Sequence, residues 1–212
     1  MQECYQFLNT IDTEEELREL IGYPGELINN KVIHHLDSNC IEFISKSPFL
    51  TISTSEKSGF CDVSPRGDDA GFVKVLNDRQ LIIPERPGNK RADSLRNIIS
   101  NPKVGLLFFI PGLGETLRVN GNATIIKDEV ILNQLIAKGK TPLLAIAVEV
   151  DECYVHCAKA FIRSGLWDPE SWADKKQLPT AAKMIFEHAR QSDTTVYSIE
   201  KRLKESYSKR LY

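Results

Sequence analysis

The chain runs in two rhythms. In the first stretch apolar residues recur three and four apart: Leu17, Leu20 and Ile21 follow Thr13 and Glu16, whose spacing is that of a capping box, and Gly22 and Pro24 end the helix this predicts. A second helix is predicted to begin near Asp37, to carry Cys40, Ile41 and Ile44 on one face, and to stop before Pro48. From Phe49 to about Lys127 the period shortens to that of strands. The runs "FLTIST", "GFCDVSP", "FVKVL", "LIIPE", "KVGLLFFIP" and "TLRVNGNATII" are separated by turn-rich "SEKSG", "RGDDAG" and "LNDR", the spacing of an antiparallel meander or barrel. One helix, over about Ala92 to Ser100, interrupts them. Asp128 is then placed as the N-cap of "EVILNQLIAKG", and "PLLAIAVEV" reads as a long buried strand. Beyond Asp151 the pattern turns helical, in "TAAKMIFEHARQ" and "SIEKRLKESYSKRLY". The fold class expected is α+β with most strands consecutive. There is no repeat, low-complexity tract or linker, so one domain over 1–212 is expected, with a core over about 40–150 and helical additions at both ends.

Composition narrows the function classes. A chain of 212 residues with 42% hydrophobic content can bury a sizeable core. A net charge of −2 speaks against a nucleic-acid binder that neutralises phosphates over a broad face, so any basic site must be local. The five cysteines, Cys4, Cys40, Cys61, Cys153 and Cys157, are odd in number and scattered, and the N-terminal stretch is polar. They are expected to be free thiols in a reducing cytoplasm. The longest apolar run, in "VGLLFFIPGLG", is broken by Pro111 and falls short of a bilayer span, so no membrane partner is expected.

Several familiar chemistries fail on spacing. "KGKT" at 138–141 resembles the end of a phosphate-binding Walker loop, but the leading glycine would stand at Gln134, and helix precedes strand instead of following it. Gly112 and Gly114 lack the third glycine of a dinucleotide fingerprint, since Leu117 occupies its place. "CYVHC" sets His156 between two cysteines, yet no second ligand pair lies nearby to complete a zinc site, and no metal is expected. His34, His35 and His188 have no triad partner in sequence. "RGD" at 66–68 reads as a turn between strands.

What remains is a set of cations at strand and helix ends: Arg66, Arg86, Lys90, Arg91 and Arg118. In "PGNKRADSLRNI" Lys90 and Arg91 open a helix, where the aligned peptide dipoles already present positive charge. A phosphate held by Arg, Lys and helix N-terminal amides would relieve that conflict. Local ion pairs, Arg66 with Asp68 or Arg91 with Asp93, are the alternative reading.

In succession, "CDVSPRGDDAGFVKVLNDRQLIIPERPGNKRADSLRNIISNPKVGLLFFIPGLGETLRVNGNATI" resembles the core of the pyridoxamine 5'-phosphate oxidase-like flavoproteins, the FMN-binding split-barrel family, and the likeness extends into "HCAKAFIRSGLW". The resemblance implies an antiparallel split barrel and a homodimer with FMN at the subunit interface. It implies that Lys90 and Arg91 grip the FMN phosphate and that Arg66 lies near that phosphate or the ribityl chain. Val63, Ser64 and Pro65 would pass the flavin ring edge, and Ile83 and Pro84 would line the next strand. Thr116 stands where the oxidase itself has a flavin-contacting glutamine, and Arg118 would face the cofactor or an interface carboxylate, with Glu115 as a candidate partner. His156, Trp167 and Trp172 are candidates to cover the open flavin face or a bound small-molecule substrate. The chain ends in "KRLKESYSKRLY", with no histidine after His188 to hold a substrate phosphate, so it resembles a branch other than the oxidase itself. The activity implied is an FMN-dependent oxidoreductase moving hydride or electrons between flavin and a small substrate. The alternative is a flavin-binding or sensing module, or a degenerate split barrel, without turnover of its own.

Overall fold

The computed structural model describes residues 5 and 7–212, so Cys4 lies outside the described residues. The chain divides into two compact units, one up to Val32 and one over Ile33–Tyr212. In the first, helix α1 (Glu14–Ile21) starts where Thr13 Oγ1 accepts the Glu16 N–H at 3.2 Å and ends at Gly22, φ 73°. The Glu16 carboxylate reaches back one residue further than a capping box requires, to the Asp12 N–H at 3.1 Å. A short helix α2 (Glu26–Asn30) follows, which the apolar pattern does not announce.

The second unit opens with α3 (Ser38–Lys46), where Asp37 caps the Cys40 N–H at 2.8 Å and Cys40 and Ile44 are buried. Ile41, expected on the same face, is 39% exposed. Among the described residues seven strands follow: β1 (Phe49–Ser55), β2 (Cys61–Gly67), β3 (Lys74–Asn77), β4 (Gln80–Pro84), β5 (Lys103–Phe109), β6 (Thr116–Ile126) and β7 (Ala145–His156). Helix α4 (Asp93–Ser100) interrupts them, and α5 (Glu129–Leu132), α6 (Lys159–Ser164), α7 (Ala181–Ala189) and α8 (Val196–Lys209) complete the unit. Where "EVILNQLIAKG" predicts one helix, α5 gives way to a single 3₁₀ turn over Asn133–Leu135, and the chain reverses through Lys138 and Gly139 at positive φ.

All the strand pairs are antiparallel, in the order β2-β1-β5-β6-β7-β4-β3. This is not a plain meander, because β1 pairs with β5, and the β3–β4 hairpin returns to the far edge of β7. Strand β7 runs on through "CYVH", where the local pattern turns helical, because Thr116–Val119 of β6 supply ladder partners for it. The register shifts there, with Asn120 opposite Glu152 and Gly121 opposite Val150, so Asp151 is the extra residue of a bulge. A Cβ on Gly121 would collide with the Glu149 carbonyl, which is why this position takes glycine.

Alternation sends Leu50, Ile52, Leu106, Phe108, Val119, Ile146 and Val148 into one buried core, joined by Ile98 of α4. The sheet is rolled into an α+β split barrel. Arg66 on β2 and Glu85 just beyond β4 would lie five strand spacings apart in a flat sheet, roughly 24 Å. Their side chains meet at 2.9 Å. A second pair beside them, Arg86 Nε to Asp68 Oδ2 at 2.7 Å, ties the ends of the same two strands, and the Asp68 side chain is only 2% exposed. No backbone ladder closes this seam; side chains do. The Tyr212 hydroxyl donates to the other Asp68 oxygen at 2.6 Å, and Lys140 Nζ donates to the Tyr212 main-chain oxygen at 2.7 Å.

Burial acts to raise the Asp68 pKa, but the Tyr212 hydroxyl, the Asp69 N–H and Arg86 together outweigh it and hold the carboxyl below its ordinary 3.8. A carboxyl so lowered contributes stability above its unfolded pKa and loses it as pH falls through its folded value. Asp68→Asn should therefore destabilise the fold by roughly 2–4 kcal/mol at neutral pH. In urea denaturation at a series of pH values, the gap from wild type should narrow once the pH drops below 3.8.

Candidate functional site

Strand periodicity divides the residues of β2 between two faces. Asp62, Ser64 and Arg66 lie opposite Thr54, Ile52 and Leu50, whose side chains are buried, so these three point inward. Val63 and Pro65 lie opposite Ser53 and Thr51 and point outward, with Val63 65% exposed.

The inward triplet meets the start of α4. Ser94 Oγ donates to Asp62 Oδ2 at 2.6 Å, and Ser64 and Ser94 share a hydroxyl contact of 2.6 Å. Ser94 has a single hydroxyl proton, already given to Asp62, so Ser64 donates to Ser94. Arg66 in turn donates to Ser64 Oγ and to the Pro65 carbonyl, both at 2.9 Å. A directed chain thus runs from a guanidinium through two hydroxyls to a carboxylate. Asn97, one turn along α4, donates to Thr54 Oγ1 at 3.0 Å and fixes the helix over β1.

The loop before α4 is held in an uncommon shape. Lys90 and Ala92 have φ of 65° and 57°, a left-handed conformation that non-glycine residues rarely adopt and that collects at ligand clamps. No side chain caps α4, since Ala92 occupies its N-cap. Arg91 pairs with Asp93 at 2.8 Å with its own side chain 72% exposed, while Lys90 makes no ion pair among the described residues. The Arg91–Asp93 pair is the local contact the sequence allows; Arg66, however, goes to Glu85 and not to Asp68.

The remaining candidates lie elsewhere. Ile83 is fully buried, and Ile83 and Pro84 lie opposite Ile146 and Ala145 of β7, beyond Ile82 where the pairing of β4 with β3 ends. Thr116 is buried at the start of β6 opposite His156. Arg118 points outward beside it and donates to Tyr154 Oη at 2.8 Å, its guanidinium carbon 5.4 Å from the Tyr154 ring centre, so Tyr154 and not Glu115 is its partner. The Tyr154 and His156 rings are 5.0 Å apart. Trp167 stacks on Phe161 at 5.6 Å and donates to the Leu113 carbonyl at 2.8 Å; Trp172, 59% exposed, donates to the Leu166 carbonyl.

Two clusters therefore exist within one chain. Arg66, Ser64, Ser94, Lys90 and Arg91 gather around the start of α4, and Val63, Pro65 and Arg118 share the outer sheet face. The row Pro65, Thr51, Leu107, Arg118 crosses four strands, so Arg118 stands roughly 14 Å from β2. On the same outer face a cleft of about 330 Å³ opens between Ser53, Cys61, Lys103, Gly105, Asn120 and Asp151. Glu85, Ser94 and Asp62 were not candidates from sequence. Nothing local marks them, because each acts on a partner 19 to 32 residues away. Among the described residues no three His, Cys, Asp or Glu side chains are grouped to hold a metal ion, and no helix is long and apolar enough to cross a membrane.

The sequence model of pyridoxamine 5'-phosphate oxidase matches residues 36–157, more than half of the chain, from the segment leading into α3 to the end of β7. The chain belongs to the pyridoxamine 5'-phosphate oxidase family. No curated protein matches it in sequence. Among solved structures it is similar to HupZ from Group A Streptococcus, at 15% identity over 55% of this chain and 90% of that one, with a TM-score of 0.45. It is also similar to general stress protein 26 from Bacillus anthracis, at 17% identity over 54% and 88%, TM-score 0.42. An FMN-binding protein from Syntrophomonas wolfei is similar at 11% identity over 68% and 96%, TM-score 0.42.

The hydroxyl chain yields a first test at this site. Ser94→Ala leaves Asp62 without its short donor and Ser64 without its acceptor, and should cost about 1–3 kcal/mol in denaturant unfolding, whereas Ser94→Thr should keep most of that stability.

Proposed function

We propose that the chain is an FMN-dependent oxidoreductase in which the start of α4 receives the cofactor phosphate. The observation that carries this reading is the conjunction at that point: an uncapped helix N-terminus, Lys90 with no ion pair among the described residues, Arg91 beside it, and two left-handed residues shaping the loop. These residues fit a phosphate monoester, since Lys90 and the first amides of α4 present positive potential, and Arg91 could turn from its exposed pair with Asp93 to a stronger anion. Arg66, held by Ser64 and Glu85, would approach the same phosphate or the ribityl hydroxyls.

When bound, FMN supplies the hydride or electron transfer, and the protein positions it. Ser64 and Arg66 hold the inner edge of β2 in one orientation. Arg118 lies on the outer sheet face, three strands from β2 and away from the inward residues that meet α4, with Thr116 and His156 further along the same ladder. Their separation supports a homodimer in which each subunit's outer face, with Val63, Pro65 and Arg118, borders a flavin seated on the other subunit's α4. Trp167 and Trp172 would then stand near the open flavin face and a small reducible substrate.

Purified protein should carry the yellow absorbance of bound FMN, or take it up on addition, and sediment as a dimer. Replacing Lys90 and Arg91 together by Ala should leave the thermal unfolding cooperative and weaken FMN binding by roughly 2–4 kcal/mol, read by flavin fluorescence quenching. Undiminished affinity in the folded double variant would place the phosphate elsewhere. Bleaching of the bound flavin by NADH or NADPH, followed by reoxidation with added acceptors, marks an enzyme; a flavin that no donor reduces marks a binding module.

A further inference from the structure

Cys40 and Cys153 are 113 residues apart in sequence and meet in the core of the Ile33–Tyr212 unit, Sγ to Sγ at 3.6 Å. Cys40 faces inward from the first turn of α3, whose Asp37 cap fixes its backbone, and Cys153 sits fully buried on β7. Against Cys153 lies the segment over 33–36, a lone bridge at Ile33 followed by a bend at His34 and His35. Ile33 exchanges two backbone hydrogen bonds with Cys153, at 3.1 and 2.8 Å, and Cys153 Sγ donates to the His35 carbonyl at 3.1 Å. The side chains of His34 and His35 on that segment are exposed, so Cys153, itself buried, lies one residue layer from a surface a small neutral oxidant can reach.

We propose that Cys40 and Cys153 form a reversible oxidation site, closing to an intrachain disulfide with a peroxide as oxidant. The sulfurs need to approach by roughly 1.5 Å to reach bonding distance. Cys153 Sγ gives its proton to the His35 carbonyl, so Cys40 is the donor between the two sulfurs. That contact favours ionisation of Cys153, while it and burial disfavour ionisation of Cys40, and Cys153 is taken as the attacking sulfur. Its thiolate takes one peroxide oxygen, the O–O bond breaks, and the departing hydroxide leaves as water with the proton Cys153 gave up. The Cys40 sulfur then attacks the resulting sulfenic acid, the S–O bond breaks, and a second water leaves with the Cys40 proton. Two thiols and one hydrogen peroxide thus become one disulfide and two waters. The bond would staple α3 to β7 beside the point where the segment over 33–36 joins the sheet.

The test uses the full chain carrying Cys4→Ser, Cys61→Ser and Cys157→Ser, so that Cys40 and Cys153 are the two thiols left. After hydrogen peroxide treatment, remaining thiols are alkylated under denaturing conditions, and unreduced tryptic peptides are weighed. The expected result is loss of most alkylatable Cys40, with the peptides holding Cys40 and Cys153 joined at two hydrogens below their summed mass. The link should disappear after dithiothreitol and be absent when Cys40→Ala is added, where Cys153 instead advances to sulfinic acid. If Cys40 remains fully alkylatable in the folded protein while peroxide oxidises its methionines, the proposal is overturned. A linkage between two chains in place of the intrachain one overturns it equally.

Discussion

The structure turns on one seam. A seven-stranded antiparallel sheet must be held in its roll, and here the C-terminal ends of β2 and β4 are brought together by charged side chains: Arg66 on Glu85 and Arg86 on Asp68. Side chains at this seam are 2 to 23% exposed, so each pair sits where charges attract more strongly than on an open surface and where the loss of either partner strands the other. The curvature that this seam holds is what gives β2 a concave, polar inner edge, and that edge supports α4 through Ser64, Ser94 and Asp62. The proposed cofactor site is thus downstream of barrel closure. Arg66 belongs to both, since one guanidinium holds Glu85 across the seam and Ser64 along its own strand.

Charge balance at the start of α4 follows from the same arrangement. Arg66, Arg86 and Arg91 each have a carboxylate partner, so the cluster is close to neutral in the free chain despite its cations. Lys90 is the exception among them, placed in a left-handed loop conformation without an ion pair among the described residues. An arriving phosphate would compete with Asp93 for Arg91 but would meet Lys90 and the helix amides unopposed. The order of strength this implies, Lys90 ahead of Arg91, comes from the pairing and not from the relative charge of the two side chains.

The sequence made the local features legible and hid the distant ones. Alternating apolar positions locate β1, β5 and β6 because each strand has one buried face, and the caps at Thr13, Asp37 and Asp128 are legible because a capping side chain acts on backbone three residues away or less. Strand β7 past Asp151 was misread as helical, since only its pairing with β6 across a bulge holds "CYVH" extended. The strand order was not a meander because β1–β5 and β4–β7 neighbours carry no local signal. The same limit governs the site. Lys90 and Arg91 stand out beside a helix start, whereas Glu85 looks like any acidic residue after a strand until the roll of the sheet delivers Arg66 to it. Tyr154 escaped as the partner of Arg118 for the same reason, lying directly across the ladder but 36 residues further on.

The alternation on β2 carries a consequence for how this protein can vary. Asp62, Ser64 and Arg66 answer to groups in their own chain, and Val63 and Pro65 answer to whatever meets the outer face, so the two sets drift under separate demands although they interleave along seven residues. Substitutions can therefore retune one surface without disturbing the other. A single-residue insertion or deletion within the strand would exchange the two sets at a stroke, and both the seam and the outer face would be lost together.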